Sequence, residues 1–250
     1  MISLRGVSLV YPNGVHALDN VTLEIAKGDF VFLVGHSGTG KSSLLRLLYR
    51  EARPSSGEIT VDGIRVDRLK RGRIPALRRH LGVVFQDFKL LADKTVWENV
   101  AFAMQVTGAH TKDVMRQVPR VLDLVGLSRY AEADAGVLSY GQKKLVTLAA
   151  ALMSQPKIVV LDEPVAGVNP ARIREVEAIL RRLNGAGQTF LIIEHNVEFV
   201  TNLCHRVVVL DQGRKLAEGT PAEIHRDPRV LEAYLGMTSQ MAAAEAKGAA

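Results

Sequence analysis

The stretch Phe30-Val31-Phe32-Leu33-Val34-Gly35-His36-Ser37-Gly38-Thr39-Gly40-Lys41-Ser42 decides how this sequence folds. Five apolar residues in a row mark a strand buried on both faces, as strands of a parallel sheet are. A glycine-rich loop follows, and residues 42–49 then have helical spacing. Gly35 to Ser42 fit the pattern G-x-x-x-x-G-K-[ST]. Each part of that pattern has a chemical reason. Glycines let backbone N–H groups curl round phosphates without a side-chain clash, and the helix opening near Lys41 directs its positive N-terminus at the same anion. Lys41 would reach the β- and γ-phosphates, and Ser42 would give its hydroxyl to Mg²⁺. Gly35, Ser37, Gly38, Thr39, Gly40, Lys41, Ser42 and Ser43 are the candidate nucleotide-binding residues of this segment. His36 fills a free position of the pattern and reads as an exposed loop histidine.

Outward from this stretch, alternating residues predict strands at 2–10 and 19–26, with Pro12-Asn13-Gly14 as a turn between them. A short strand pair is expected over 58–66, and further strands at 81–85, 157–161, 189–193 and 206–210. Helical patterns cover 170–183 and 195–203, and residues from about 88 to 150 are mostly helical. Alternation of strand and helix argues for an α/β fold with a parallel sheet covered on both faces, and the block at 88–150 reads as an inserted helical subdomain.

Two more segments carry chemistry. Ile158-Val159-Val160-Leu161-Asp162-Glu163-Pro164 is an apolar strand ending in two carboxylates. The carboxyl end of a parallel strand faces the ligand crevice. Asp162 there can hold Mg²⁺, directly or through water, and Glu163 can orient or polarise an attacking water. Leu138-Ser139-Tyr140-Gly141-Gln142 leads into a strong helix pattern from Lys143. Ser139 is a natural N-cap and Gly141 leaves backbone exposed near the helix start. Alone, this segment reads as an ordinary capped helix; beside the phosphate loop it is a second helix start suited to an anion.

With these residues in hand, the chain resembles the ATPases of the ABC family. Leu138 to Gln142 resemble the family's signature motif and lie just upstream of Asp162-Glu163, where the family has it. Tyr11 resembles the aromatic that stacks on adenine, Gln86 the Q-loop glutamine, His195 the switch histidine after a strand, and Ala166-Gly167-Val168-Asn169 the D-loop. Singly, Tyr11 reads as packing and His195 as a structural histidine; the order and spacing of the set give them their roles. The resemblance covers about residues 1–236 and implies a RecA-like P-loop NTPase with a parallel core, an N-terminal antiparallel β subdomain and the helical insert. The core would comprise about 1–87 and 151–236, the insert about 88–150, and 237–250 would be a disordered tail. The family further implies ATP and Mg²⁺ as cofactors, with Ser139, Gly141 and Gln142 of one subunit completing the nucleotide site of another. It implies Ser42, Gln86 and Asp162 around the metal, and Gln86, Glu163 and His195 in hydrolysis. A homodimer closing on ATP would then drive an integral membrane partner from the cytoplasmic face.

Two residues depart from the family pattern. Tyr140 replaces the first glycine of the usual signature, so its side chain must point away from the phosphate. Asn169 stands where the D-loop usually ends in aspartate and removes a charge. Up to about residue 130 the chain resembles FtsE-type cell-division ATPases, through Val10 to Gly14, Arg78 to Phe88 and Thr95 to Val100. From about residue 136 it resembles the LivG-type ATPases of branched-chain amino-acid importers, through Glu163 to Pro170, Ile193 to Asn196 and Glu218 to Gly236. A hybrid joined near 130–137, engineered or otherwise, is therefore expected, with a divergent natural chain as the alternative. The membrane partner would be of FtsX type or an amino-acid permease.

Composition agrees and excludes. The chain has 250 residues, 47% hydrophobic and 23% charged, which is globular composition and rules out a disordered or collagenous chain. The longest run without Asp, Glu, Lys or Arg is 13 residues, too short for a membrane helix of about 20. Met1 to Gly6 does not read as a signal peptide, and the single Cys204 cannot form an internal disulfide; both favour a reducing cytoplasm. Net charge is +6. Arg65, Arg68, Lys70, Arg71, Arg73, Arg78 and Arg79 crowd one stretch, with Asp67 the only acid among them. No aromatics interleave, so it reads as a solvated strip ahead of an anionic lipid or nucleic-acid surface, and no specific nucleic-acid partner is expected. A GTPase is disfavoured because no Asn-Lys-x-Asp segment occurs. A small-molecule kinase leaves the Leu138–Gln142 segment unexplained. A soluble ABC ATPase acting on nucleic acid or ribosomes would show tandem cassettes or coiled-coil arms. A module that holds nucleotide without a membrane partner is the second reading.

Overall fold

A computed structural model describes residues 1–88, 90–194 and 197–233. Its larger sheet contains β3 (Phe30–Val34), β6 (Leu81–Val84), β7 (Ile158–Asp162), β8 (Thr189–Ile193), β9 (Arg206–Asp211) and β10 (Arg214–Gly219) in the order β10-β9-β3-β8-β7-β6. All neighbours are parallel except the edge pair β10 and β9. The smaller sheet is antiparallel, in the order β2-β1-β4-β5, from β1 (Ile2–Val10), β2 (His16–Ile25), β4 (Ser56–Val61) and β5 (Ile64–Arg65).

The apolar runs become central strands because both of their faces are covered. Pleating sends successive side chains to opposite sides. Phe30, Phe32, Val159, Leu161, Phe190, Ile192, Val207 and Val209 enter one core. Val31, Leu33, Ile158, Val160, Leu191, Ile193, Val208 and Leu210 enter the other. The first core holds the helices α3 (Val96–Gln105), α4 (Thr111–Leu124), α5 (Tyr140–Leu152), α6 (Pro170–Gly185) and α7 (Val197–Leu203). The second holds α1 (Lys41–Leu48) and the antiparallel sheet. Each such side chain contributes about 1.5–3 kcal/mol on burial, so the parallel sheet is the most strongly fixed part of the chain.

The expected strands and helices are present, with ends shifted by a few residues. β2 begins at His16, and the pair expected over 58–66 begins at Ser56. Three short elements were not expected: α2 (Ile74–Arg78), β10 and α8 (Pro221–Arg226). β10 is an edge strand whose Arg214, Lys215 and Glu218 hide its alternation. All three are held electrostatically: Arg214 pairs with Asp19 of β2, and Glu218 accepts from Arg206 at 2.6 Å and Lys215 at 2.7 Å. The tail expected at 237–250 lies outside the described residues. Among the described residues no helix is long and apolar enough to cross a membrane.

α5 is tied to the sheet edge by close backbone approach. A Cβ on Gly82 of β6 would lie 2.8 Å from the Ala151 carbonyl oxygen and from Pro156 Cγ, so only glycine lets helix and strand meet there. α3 begins with a capping box between Thr95 and Glu98, and α5 with one between Ser139 and Gln142, each satisfying two free N–H groups at its helix start.

Asn99 on α3 is a buried polar residue that fastens the loop after β6. Its Oδ1 accepts from the Leu91 N–H at 2.8 Å, and its Nδ2 donates to the carbonyl oxygens of Leu91 and Thr95, both at 2.9 Å. Asn99→Ala leaves the Leu91 N–H without its partner, removes the bonds to the carbonyl oxygens of Leu91 and Thr95, and should cost about 2 kcal/mol. Thermal unfolding should show this as a fall in Tm of roughly 4–8 °C; an unchanged Tm would show that the clasp does not contribute.

Candidate active site

The phosphate loop runs from the end of β3 to the start of α1. Its shape is set by backbone that passes too close to its neighbours for side chains. Gly40 has φ +100°, and a Cβ there would stand 2.4 Å from the Ala17 carbonyl oxygen; a Cβ on Gly35 would stand 2.4 Å from that of Leu210. Thr39 is buried, and its hydroxyl donates to the His36 carbonyl oxygen at 2.8 Å, closing the loop on itself. Lys41 folds back over the loop, and its Nζ donates to the carbonyl oxygens of Gly35 and His36, both at 2.7 Å. Burial lowers the Lys41 pKa from its usual value, while Glu163 and Asp162 push it back up. The ammonium is thus partly desolvated and faces carboxylates, the state in which added negative charge is most stabilising. Ser37, Gly38 and Ser42 are exposed at the mouth of the loop, whereas His36, expected to be exposed, is half-buried.

Asp162 ends β7 and is paired in register with Ile193 of β8. Burial raises its pKa above the usual carboxylate value, Glu163 adds to this, and Lys144 and Lys41 oppose it. Glu163 follows with φ 51°, a left-handed conformation that a side-chain-bearing residue adopts at a cost, and its N–H donates to the Ile193 carbonyl oxygen at 2.9 Å. The turn so fixed presents the Glu163 carboxylate to Gln86, whose Nε2 donates to Oε2 at 3.1 Å. Gln86 comes from the loop after β6, next to β7 in the sheet, so sheet order brings the two together.

Tyr11 lies against α1, half-buried, with its hydroxyl 3.1 Å from Ser43 Oγ. Ser139, Gly141 and Gln142 sit at the start of α5. Ser139 Oγ accepts from the Gln142 N–H, and Gln142 Oε1 accepts from the Ser139 N–H at 2.9 Å. Tyr140 turns aside from the helix start. Its ring meets Phe88 edge-on at 4.6 Å between centroids and covers Gly167, where a Cβ would come within 3.2 Å of the ring. A Cβ on Gly141 would reach Val168 and Arg172. These neighbours come from the loop after β6 and from the run into α6; the phosphate loop contributes none of them. His195 lies outside the described residues.

Two residues at the site escape a reading of motifs. Glu194 is 1% exposed and accepts from the Val165 N–H at 3.1 Å, which anchors the loop after the carboxylate pair. Its signal is an acid directly after the apolar strand Leu191 to Ile193, the same pattern as Asp162-Glu163. Lys144 is 3% exposed and donates from Nζ to the Gln86 carbonyl oxygen at 3.0 Å. It reads in sequence as an ordinary helix lysine.

The donors near the phosphate loop suit Mg²⁺, a hard cation that takes oxygen ligands from few protein groups and shares phosphate oxygens. Ser42 offers a hydroxyl, Gln86 an amide and Asp162 a carboxylate that burial and Glu163 hold above its ordinary pKa, a cost that a cation removes. Among the described residues no group of three or more His, Cys, Asp or Glu forms a metal cluster, so no all-protein cage competes with that arrangement.

A glycine loop at a helix start, a lysine turned onto it and a carboxylate pair at the edge of a doubly covered parallel sheet define a P-loop nucleotide-binding ATPase. The chain belongs to the ABC transporter family, whose sequence pattern matches residues 18–166, and a branched-chain amino acid ATP-binding cassette transporter pattern matches residues 214–236. It is an ATP-binding, ATP-hydrolysing subunit of that family. It is 39% identical over 227 residues to the cell division ATP-binding protein FtsE of Streptococcus pneumoniae, covering 91% of this chain and 99% of FtsE. It is also 39% identical over 231 residues to the methionine import ATP-binding protein MetN of Carboxydothermus hydrogenoformans, covering 91% of this chain and 68% of MetN. The ATP-binding cassette MJ0796, a dimer in a post-hydrolysis state bound to ADP and Pi, superposes with a TM-score of 0.80 at 28% identity, covering 88% of this chain and 99% of that one. Both sequence relatives run through residues 130–137, so these comparisons lend no support to the expected join there.

Lys41→Ala should weaken binding of a fluorescent ATP analogue by roughly 10- to 100-fold, the factor for a lost charge-assisted bond. An unchanged Kd would remove Lys41 from the phosphate contact.

Proposed function

We propose that two copies of this chain close head to tail around two ATP molecules, each phosphate loop facing the α5 start of the other copy. The observation that carries this reading is a division within one chain. Lys41, Asp162, Glu163 and Gln86 converge on one edge of the sheet, while the capped start of α5 presents Ser139 at the surface beside Phe88 and Gly167. A γ-phosphate between Lys41 and two carboxylates needs further positive potential, and a second helix N-terminus supplies it. The dimeric MJ0796 cassette bound to ADP and Pi supports the arrangement.

In this reading the N–H groups of Gly35 and of Ser37 to Ser43 cradle the phosphates. Lys41 leaves the carbonyl oxygens of Gly35 and His36 for the β- and γ-phosphate oxygens, and Tyr11 stacks on adenine. Ser42, Asp162 and Gln86 would hold Mg²⁺, which when bound neutralises phosphate charge. Glu163, set by its strained turn and its bond from Gln86, orients the attacking water and takes up its proton. His195 would hold the γ-phosphate end. Ser139, Gly141 and Gln142 bind the nucleotide of the other copy, and the capping box keeps the Ser139 hydroxyl at the helix start. Tyr140 leaves that end open by packing on Phe88 and Gly167.

Closing and opening of the dimer would drive an integral membrane partner through the loop at Gln86 and the helical insert at about 88–150. An FtsX-type partner is favoured by the FtsE-like character of the chain up to about residue 130; the importer-type match at 214–236 supports an amino-acid permease instead. The chain would then sit at the cytoplasmic face of the membrane. The strip at Arg65 to Arg79 is partly neutralised, with Arg65 held by Asp67 at 2.9 Å and Glu58 at 3.0 Å, and no nucleic-acid role is proposed for it.

Light scattering of Glu163→Gln, with and without Mg-ATP, tests the reading. The expected result is a shift from monomer to dimer mass with hydrolysis lost, and Ser139→Arg added to that variant should abolish the shift while each chain still binds ATP. Constant mass with ATP bound would mean a nucleotide-binding module whose site is not shared between copies.

A further inference from the structure

Lys144 lies in the first turns of α5, where burial of an ammonium costs several kcal/mol unless other groups compensate it. Among the described residues no carboxylate lies within ion-pair distance of it. What compensates it comes from the loop after β6, from the start of its own helix and, at longer range, from the carboxylates of Asp162, Glu163, Glu194 and Asp87. Its Nζ donates to the Gln86 carbonyl oxygen at 3.0 Å, and it stands 5.4 Å from the centre of the Phe88 ring and 5.9 Å from that of Tyr140, within the range of cation–π attraction. Phe88 and Tyr140 also pack on each other. The lysine therefore binds α5 to the short segment that carries Gln86. Gln86 in turn donates from its side chain to Glu163. One residue thus receives the lysine on its backbone and delivers its amide to the carboxylate, so a shift of the α5 start reaches Glu163 through Gln86, beside the direct pull of the ammonium on Asp162 and Glu163.

We propose that Lys144, with the Phe88–Tyr140 ring pair, is a positioning residue that transmits docking of the other copy's nucleotide on the α5 start to Gln86 and Glu163 of its own chain. Hydrolysis at one site then depends on occupancy of the other. This rests on the shared site proposed above. It also gives Tyr140 a use: the ring that replaces the usual glycine supplies one of the two π faces, which a glycine could not.

The test uses the full chain and steady-state ATPase measurements. Lys144→Met keeps length and burial but removes the charge and its donors. The affinity for a fluorescent ATP analogue should stay within about twofold of the parent chain, while kcat falls about tenfold, the loss expected for one charge-assisted hydrogen bond. Lys144→Arg, which keeps donors and charge, should restore most of kcat. In a Gln86→Ala background, Lys144→Met should lose much less, because the path through Gln86 is already cut and only the longer-range pull of the ammonium on Asp162 and Glu163 remains. Unchanged kcat in Lys144→Met overturns the proposal. So does an equal further loss in the Gln86→Ala background, or an Arg variant as poor as the Met one, since each would mark Lys144 as packing alone. Should Lys144→Met not fold, Phe88→Leu removes one ring from a loop residue and must show the same kcat loss, absent in the Gln86→Ala background. A parent chain that hydrolyses ATP, with Glu163→Gln dimerising but Lys144→Met unaffected, discards the coupling alone. Failure of hydrolysis and dimerisation in those first two chains discards the shared site and the coupling with it.

Discussion

Lys41 and the pair Asp162 and Glu163 face one another across the carboxyl edge of the parallel sheet, and burial penalises charge on both sides. Burial pulls the lysine down and pushes Asp162 up, and the attraction between them only partly offsets that. Such a site is incomplete in a defined sense. Its lysine is spent on two carbonyl oxygens of its own loop, and its carboxylates repel each other. Phosphate oxygens would satisfy the first, and a cation the second. The sheet keeps the groups this close because its strands are buried on both faces and cannot relax apart without exposing two cores.

What was legible in the sequence follows from that burial. Phe30 to Val34, Ile158 to Leu161 and Thr189 to Ile193 read as strands because no polar face interrupts them, and their ends located the loop and the carboxylate pair. β10 was not legible, because an edge strand held by Arg206, Lys215 and Glu218 shows charge where alternation would be sought. The capping residue Ser139 was readable from its own chemistry, and the structure shows the full box with Gln142. Lys144, Asn99 and Glu194 were not, because each matters through partners distant in the chain: Gln86, the loop at Leu91, and Val165. Tyr140 was expected to point away from the phosphate, and in the structure its ring lies against Phe88 and Gly167. That contact no local rule could supply.

The helical block and the sheet are joined unevenly. Gly82 brings β6 into backbone contact with α5, whereas α3 and α4 enter the core with their side chains. α5 therefore follows the sheet edge more strictly than its neighbours do. It is also the helix that carries Ser139 at one end of its first turn and Lys144 in the next.

The clasp made by Asn99 has a mechanical consequence for the loop that holds Gln86. That loop leaves the sheet at Val84 and is fastened again at Leu91, where both backbone groups bond one side chain. A tether pinned at both ends can bow but cannot travel. Gln86 can therefore move only as far as the slack between the two pins allows, and any larger stroke must be taken by α3 at the fastened end or by α5 through the Lys144 bond to the Gln86 carbonyl oxygen. The loop is short enough to behave as a linkage, turning displacement of a helix into displacement of one amide.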